Sequence, residues 1–257
     1  MYKQISSGKY TIHLIGERHD EVIGESKQQL IEVYDKKAVF ILEAPYVINP
    51  LKVNKKYIYE ETSHILQLQN KYNHCLCTPD KSDCPALLFY VDIRCCDIGE
   101  TLLAQECLSQ LAYNKIPYDL QLVNLLKQEV PTYIKQFFAK KWQNTLSRQF
   151  LSYLPRTDAT PYLLIKGRHP ISFHLKQLRI ANPILHDKWM QCVQEHIEQL
   201  MTTLPNNLDK LVCLLVDILV ITKILLLVCC QPLAENILVV MGMYHIAHID
   251  KYLQLLI

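Results

Sequence analysis

Two short motifs, one near each end of the chain, constrain the fold most, because each places a histidine just after an apolar run. Gly16 and His19 are separated by two residues and follow the run of residues 11–15, which is apolar at Ile12, Leu14 and Ile15. Gly242 and His245 have the same spacing and follow residues 237–241. Short apolar runs that end at a glycine are typical of buried strands. Because α/β proteins bind ligands at the carboxyl ends of their strands, the pattern predicts two strand ends that bring two imidazoles to one site.

The rest of the chain alternates apolar runs with helical periodicity. Further strands are predicted at residues 38–42 and 86–91, and the helical segments include residues 25–36, 120–141 and 173–204, the last one interrupted at Pro183. Apolar strands separated by helices indicate an α/β fold, with a central mixed or parallel sheet and helices on both faces. We predict one α/β domain over residues 1–257, with a helical subregion at about 95–205 that forms a cap or insertion.

Composition excludes some classes of partner. The net charge of the 257 residues is +2, and no basic stripe with interleaved aromatic residues is visible, so nucleic acid is not expected as a partner. The first residues do not form a secretory signal, so the 10 cysteines are expected to be reduced thiols in an intracellular, cytoplasmic protein. The expected partner is a peptide or ester substrate, or another protein.

Residues 211–230 form an apolar run that is long enough to cross a bilayer. Asp217 and Lys223 lie near its middle, and each costs about 3 kcal/mol on membrane insertion. These charges favour a helix buried in a protein core over a membrane span. Membrane anchoring through this segment is kept as the alternative.

Carboxylates accompany the histidines at the predicted strand ends. Glu17 lies two positions before His19, so both side chains point to one side if the extended backbone continues. Glu43 directly follows the second strand, and His245 comes four residues after the end of the last strand and opens the terminal helix. A carboxylate beside an imidazole can share a divalent metal with it or orient the ring as a general base. The alternative for Glu17 is a charged loop that caps the next helix.

Three further polar residues accompany these strand ends. Asp92 and Arg94 alternate around one residue after the third strand, where they could form a structural ion pair or hold an oxyanion. His248 lies three residues after His245, on the same face of the expected helix, and is a candidate second contact to substrate.

Paired Gly-x-x-His motifs with a strand-end glutamate and an arginine between them resemble a known superfamily. Its members include Tiki-type metalloproteases, TraB-like proteins, erythromycin esterases and ChaN-like haem-binding proteins. The run from Val239 to Ile249 is similar to the strand–Gly–His–helix element at the end of these proteins. The resemblance covers the first and last parts of the chain and leaves the helical middle unmatched.

The resemblance implies hydrolysis of amides or esters at the strand ends, with Mn²⁺, Co²⁺ or Zn²⁺ as the metal in some branches. The implied metal ligands are Glu17, His19, Glu43 and His245, and the implied arginine is either Arg94 or Arg148. A basic residue before the last strand in some relatives would correspond to Lys223. Since other members of the superfamily bind haem or use no metal, a non-catalytic module that binds haem or a protein is the alternative.

A second possible metal site is a cysteine-rich loop. His74 precedes Cys75 and Cys77, and Cys84 follows seven residues later. Because Cys-x-Cys is not the usual Cys-x-x-Cys spacing of a zinc site, the pattern favours loop thiols over a structural zinc at Cys75, Cys77 and Cys84.

Overall fold

The computed structural model describes residues 1–18, 24–34, 38–43, 87–91, 119–138, 171–204, 206–230 and 235–257. The chain divides into two compact units. The first unit comprises Met1–Asp92 and Lys223–Ile257, and the second comprises Ile93–Thr222. The described part of the second unit is helical.

The first unit is built on a five-stranded sheet with the order β1-β2-β5-β3-β4. Its strands are β1 (Tyr2–Ser7), β2 (Tyr10–Glu17), β3 (Ala38–Glu43), β4 (Leu87–Val91) and β5 (Asn236–Gly242). Strands β2, β5, β3 and β4 are parallel, and β1 is antiparallel to β2. The sheet is therefore mixed, in agreement with the α/β class, and the four predicted apolar strands are present.

Strand β1 was not predicted from the sequence, and its exposure explains why. It lies at the edge of the sheet and most of its residues are exposed or half-buried, so its polar sequence carries no core-facing pattern. The link to β2 contains only two residues, Gly8 and Lys9. Gly8 has a φ of 60°, which a residue without a Cβ adopts easily in a tight hairpin.

Strand β5 is central, although it comes last in the chain. It lies between β2 and β3, and residues 237–242 are all buried. Its β-branched residues Val239 and Val240 are fully buried, as expected for a strand covered on both faces. The two predicted Gly-x-x-His strands, β2 and β5, are therefore hydrogen-bonded neighbours.

The described residues form six helices. They are α1 (Glu25–Tyr34), α2 (Leu120–Phe137), α3 (Ile171–Ala181), α4 (Pro183–Thr202), α5 (Leu208–Cys230) and α6 (Met243–Leu256). In the first unit, α6 packs against β2 and β5 through one apolar face, and Lys3 approaches Asp250 of α6 at 3.9 Å. This pair lies at the surface and contributes little to stability.

The predicted interruption at Pro183 is confirmed, because α3 ends at Ala181 and α4 begins at Pro183. Asn182 lies between them as the N-cap of α4, where its side chain accepts a hydrogen bond from the backbone N–H of Leu185 at 3.0 Å. Proline is favoured at the first helical position because its missing N–H would have no partner there.

Helix α5 is the one described helix that is long and apolar enough to cross a membrane, judged by length and composition alone. In the structure 83% of its most apolar 18-residue window is buried. Asp217 is fully buried and Lys223 is 7% exposed. Core helices of proteins share this length and composition, and the burial of α5 agrees with the core helix that its two central charges favour.

Candidate functional site

The carboxyl ends of β2, β5 and β3 form one edge of the sheet, because the three strands are parallel neighbours. Glu17 of β2 is in register with Gly242 of β5. Leu42 of β3 is in register with Val240, which puts Glu43 one residue beyond that pair, level with Met241. Residues that are far apart in sequence are thus brought together at this edge, but His19 lies outside the described residues, so the meeting of the two imidazoles stays a prediction.

Glu43 and His245 meet directly. The Nε2 atom of His245 lies 3.5 Å from the Oε1 atom of Glu43. The other carboxylate oxygen, Oε2, accepts a hydrogen bond of 2.6 Å from the backbone N–H of Gly242. Both side chains are buried, with residue exposures of 6% for Glu43 and 7% for His245. An imidazole and a carboxylate are therefore paired in a site with little water, where their interaction is stronger than in bulk solvent.

The junction between β5 and α6 explains how this pair forms. The strand ends at Gly242 and the helix begins at Met243, so no loop separates them. Gly242 is the N-cap of α6 and has no side chain to accept a hydrogen bond from the first turn. The Glu43 carboxylate approaches from the next strand and places an anion where the helix dipole favours one.

Gly16 allows α6 to lie close to the sheet. A Cβ atom at this position would lie 3.1 Å from the Cα atom of Met243 and 3.2 Å from its Cγ atom. Ordinary carbon–carbon contacts are about 3.5–4.0 Å, so a larger residue would push against the first turn of α6. The glycine of the first motif thus helps to position the histidine of the second.

Glu17 lies at the same edge but enters it from the other side of the sheet. Side chains alternate along each strand, and the register gives Glu17 the same face as Gly242 and gives Glu43 the same face as Met241. Glu17 is buried, with 3% exposure. The two carboxylates therefore approach the strand ends from opposite faces.

Several predicted site residues lie outside the described part of the structure. They are His19, Asp92, Arg94, Arg148, His74, Cys75, Cys77 and Cys84. His248 is described and is half-buried on α6. Its ring contacts Tyr244, with the two centroids 4.5 Å apart.

A polar cluster around the buried His13 could not be found from the sequence pattern alone. The Nδ1 atom of His13 lies 3.0 Å from the Tyr2 hydroxyl, and Nε2 lies 3.3 Å from the Oδ1 atom of Asn236. Burial lowers the pKa of His13, and the hydrogen bond to Asn236 partly opposes that shift. The available signal was a histidine inside an apolar strand, which requires polar partners on the neighbouring strands.

Within the ranges that the structure describes, no group of three or more His, Cys, Asp or Glu side chains is placed to hold a metal ion. Glu43 and His245 supply one oxygen and one nitrogen donor, which is fewer than the three protein ligands of a typical catalytic zinc site.

Comparison with known proteins gave no match. No family model matches the chain, and neither a curated protein nor a solved structure is significantly similar to it.

Proposed function

We propose that the chain is a hydrolase of amide or ester bonds in which Glu43 and His245 activate water. The observation that carries this proposal is the 3.5 Å contact between the two buried side chains at the carboxyl edge of the sheet. A histidine paired with an orienting carboxylate is a common general base, and hydrolysis requires one to take a proton from water.

The geometry suggests a route for the proton. With Nε2–H directed at Oε1 of Glu43, Nδ1 is the ring nitrogen that accepts the proton of water. The water oxygen then forms a bond to the carbonyl carbon, and the carbonyl π electrons move to its oxygen. When that tetrahedral intermediate collapses, the bond to the amine or alcohol breaks and His245 returns the proton to the leaving group. The Glu43 carboxylate stabilises the imidazolium between these steps.

A divalent metal forms a second part of the proposal. Two ligands of one tetrahedral metal ion lie about 3.4 Å apart when each bond is about 2.1 Å long, and the Glu43–His245 contact is close to that separation. Glu43 and His245 would be two of the ligands, with His19 as the further candidate, whereas Glu17, the fourth ligand that the resemblance implies, lies on the opposite face of the sheet. A bound metal would lower the pKa of its water and polarise the carbonyl group.

The superfamily resemblance supports roles for further residues of the chain. In this proposal Arg94 stabilises the oxyanion, and Asp92 and His248 contact the substrate. Helices cover both faces of the sheet, and the residues at about 95–205 form a helical cap or insertion.

The first test is a screen of peptide and ester substrates with Mn²⁺, Co²⁺ and Zn²⁺, using Glu43→Gln and His245→Gln. Each change preserves approximate side-chain size and removes the acid–base function. We expect kcat to fall by at least about 10²-fold in both variants. His186→Gln is the matched control, because His186 also pairs with a carboxylate, Asp187 at 2.8 Å, but that carboxylate is exposed.

Two results would contradict the proposal. The first is full activity in Glu43→Gln together with lower stability, which would make Glu43 a structural cap of α6. The second is a wild-type protein that hydrolyses none of the substrates. Elemental analysis of the wild type and of His19→Ala/His245→Ala tests the metal separately, since a shared ion would be lost in the double variant.

A non-catalytic module is the second candidate, and the hydrogen bond from Gly242 to Glu43 favours it, because that bond gives Glu43 a structural role without chemistry. Haem binding is checked by titrating haemin and recording its absorbance. A band that shifts in the wild type and not in His245→Gln would support the module.

A further inference from the structure

The first turns of α6 carry two aromatic rings, those of Tyr244 and His248, next to His245 of the proposed catalytic pair. The ring of Tyr244 lies 6.2 Å from that of His245, edge to face, and 4.5 Å from that of His248. Tyr244 and His248 are four residues apart and share one side of the helix, whereas His245 points inward to Glu43. Tyr244 is therefore the ring that lies beside the buried pair and reaches the surface of the helix.

Tyr244 and its neighbour Met243 are exposed at the junction where the amphipathic helix α6 begins at the end of β5. Tyr244 is 43% exposed and Met243 is 37% exposed. The other large exposed apolar residues of the helix and its end are Leu255 and Ile257, at the opposite end from the site. Ligand sites in proteins combine aromatic and apolar surface with a few polar groups, and the edge beside Glu43 and His245 has this composition.

We propose that the exposed ring of Tyr244, packed against the ring of His248 at an interplanar angle of 50°, forms an aromatic platform that binds a planar aromatic group of the substrate next to the bond attacked at Glu43–His245. The platform makes aromatic acyl or amino-acid groups the preferred substrate class. This inference rests on the proposed hydrolase function and makes Tyr244 a specificity-determining residue.

Binding can be measured without turnover. The probes are N-acetyl-phenylalanine amide and N-acetyl-leucine amide. Their binding to the full chain is measured by saturation-transfer NMR, and the chain carries His245→Gln to prevent hydrolysis. The loss of one aromatic pair between protein and probe weakens binding by about 2- to 13-fold. We expect Tyr244→Ala to weaken the phenylalanine probe by that factor and to leave the leucine probe nearly unchanged.

Two variants serve as controls. Tyr244→Phe keeps the ring and should bind the phenylalanine probe as the parent does. Leu255→Ala removes an equally exposed apolar side chain at the far end of α6 and should also have no effect. Equal binding of both probes to the parent and to Tyr244→Ala would overturn the platform. A change of oligomeric state in Tyr244→Ala, measured by light scattering, would also overturn it and assign the ring to a protein interface.

The two proposals can fail separately. If Glu43→Gln abolishes hydrolysis while Tyr244→Ala does not change probe preference, the platform is wrong and the hydrolase stands. If the probe preference depends on Tyr244 while no substrate is hydrolysed, the platform binds an aromatic ligand in a protein that is not a hydrolase, so the assigned substrate role is wrong.

Discussion

Replacing Gly16 by alanine tests whether the first motif positions the second. The added Cβ would lie 3.1 Å from the Cα atom of Met243, 3.1 Å from the Cβ atom of Met1 and 3.2 Å from the Cγ atom of Met243. Only the Cγ atom of Met243 can rotate away. The Cβ atom of Met1 and the Cα atom of Met243 cannot, because the backbone sets both positions: Met1 is hydrogen-bonded to Gly16, and Met243 directly follows β5 and begins α6. The helix start must therefore move by a few tenths of an ångström.

The expected magnitude follows from two opposing effects. Overpacking a well-filled position costs about 1–3 kcal/mol. Glycine-to-alanine changes also restrict the unfolded chain, which stabilises by about 0.4–1 kcal/mol. The midpoints of these ranges, about 2 and about 0.7 kcal/mol, give a net loss of about 1.3 kcal/mol in the free energy of unfolding for Gly16→Ala. For a chain of this size that corresponds to a fall of about 3–5 °C in melting temperature.

The assay is thermal and urea unfolding followed by circular dichroism. Gly24→Ser is the matched control, because no atom lies within 4 Å of a Cβ at Gly24 and serine is a good N-cap for α1. Gly16→Val should destabilise more than Gly16→Ala. The reasoning is refuted if Gly16→Ala is as stable as the wild type or more stable, since the close approach would then not be a constraint.

Three further predictions concern other described contacts. Burial lowers the pKa of the folded-state His13 below its usual value of about 6.5. The unfolded chain therefore takes up a proton at this residue before the folded chain does, so stability is highest above about pH 6.5 and falls as the pH decreases toward the lowered pKa. His13→Gln should therefore flatten the slope of unfolding free energy against pH below about pH 6.5, and an unchanged slope contradicts this. Thr222→Val removes the acceptor that lies 3.0 Å from Trp189 Nε1 and should cost about 1–3 kcal/mol in urea unfolding, with Thr222→Ser as the control that keeps the hydroxyl. Asn182→Ala removes the N-cap of α4 and should cost about 0.5–2 kcal/mol, whereas Asn182→Asp should cost little; equal losses would refute the capping role.

Much of the sheet could be predicted from the sequence, because strands β2, β3, β4 and β5 are apolar runs with punctuated ends. The helices α3 and α4 and the break at Pro183 were equally visible, since proline removes a backbone donor and glycine or asparagine marks an end. Strand β1 escaped prediction because it is a polar edge strand held by pairing with β2, which no local pattern records.

The candidate site was also predictable only in part from the sequence. The sequence by itself determined that Glu43 and His245 each stand at a strand end, because strand ends follow from local hydrophobic pattern and turn residues. Only the tertiary structure decided that β5 lies between β2 and β3, which brings Glu43 within 3.5 Å of His245 and puts Glu17 on the opposite face. Strand order is set by the packing of segments distant in the chain, and a shift of one residue in register reverses the face of every side chain. The sequence therefore names the groups at the strand ends, and the pairing of distant strands decides which of them meet.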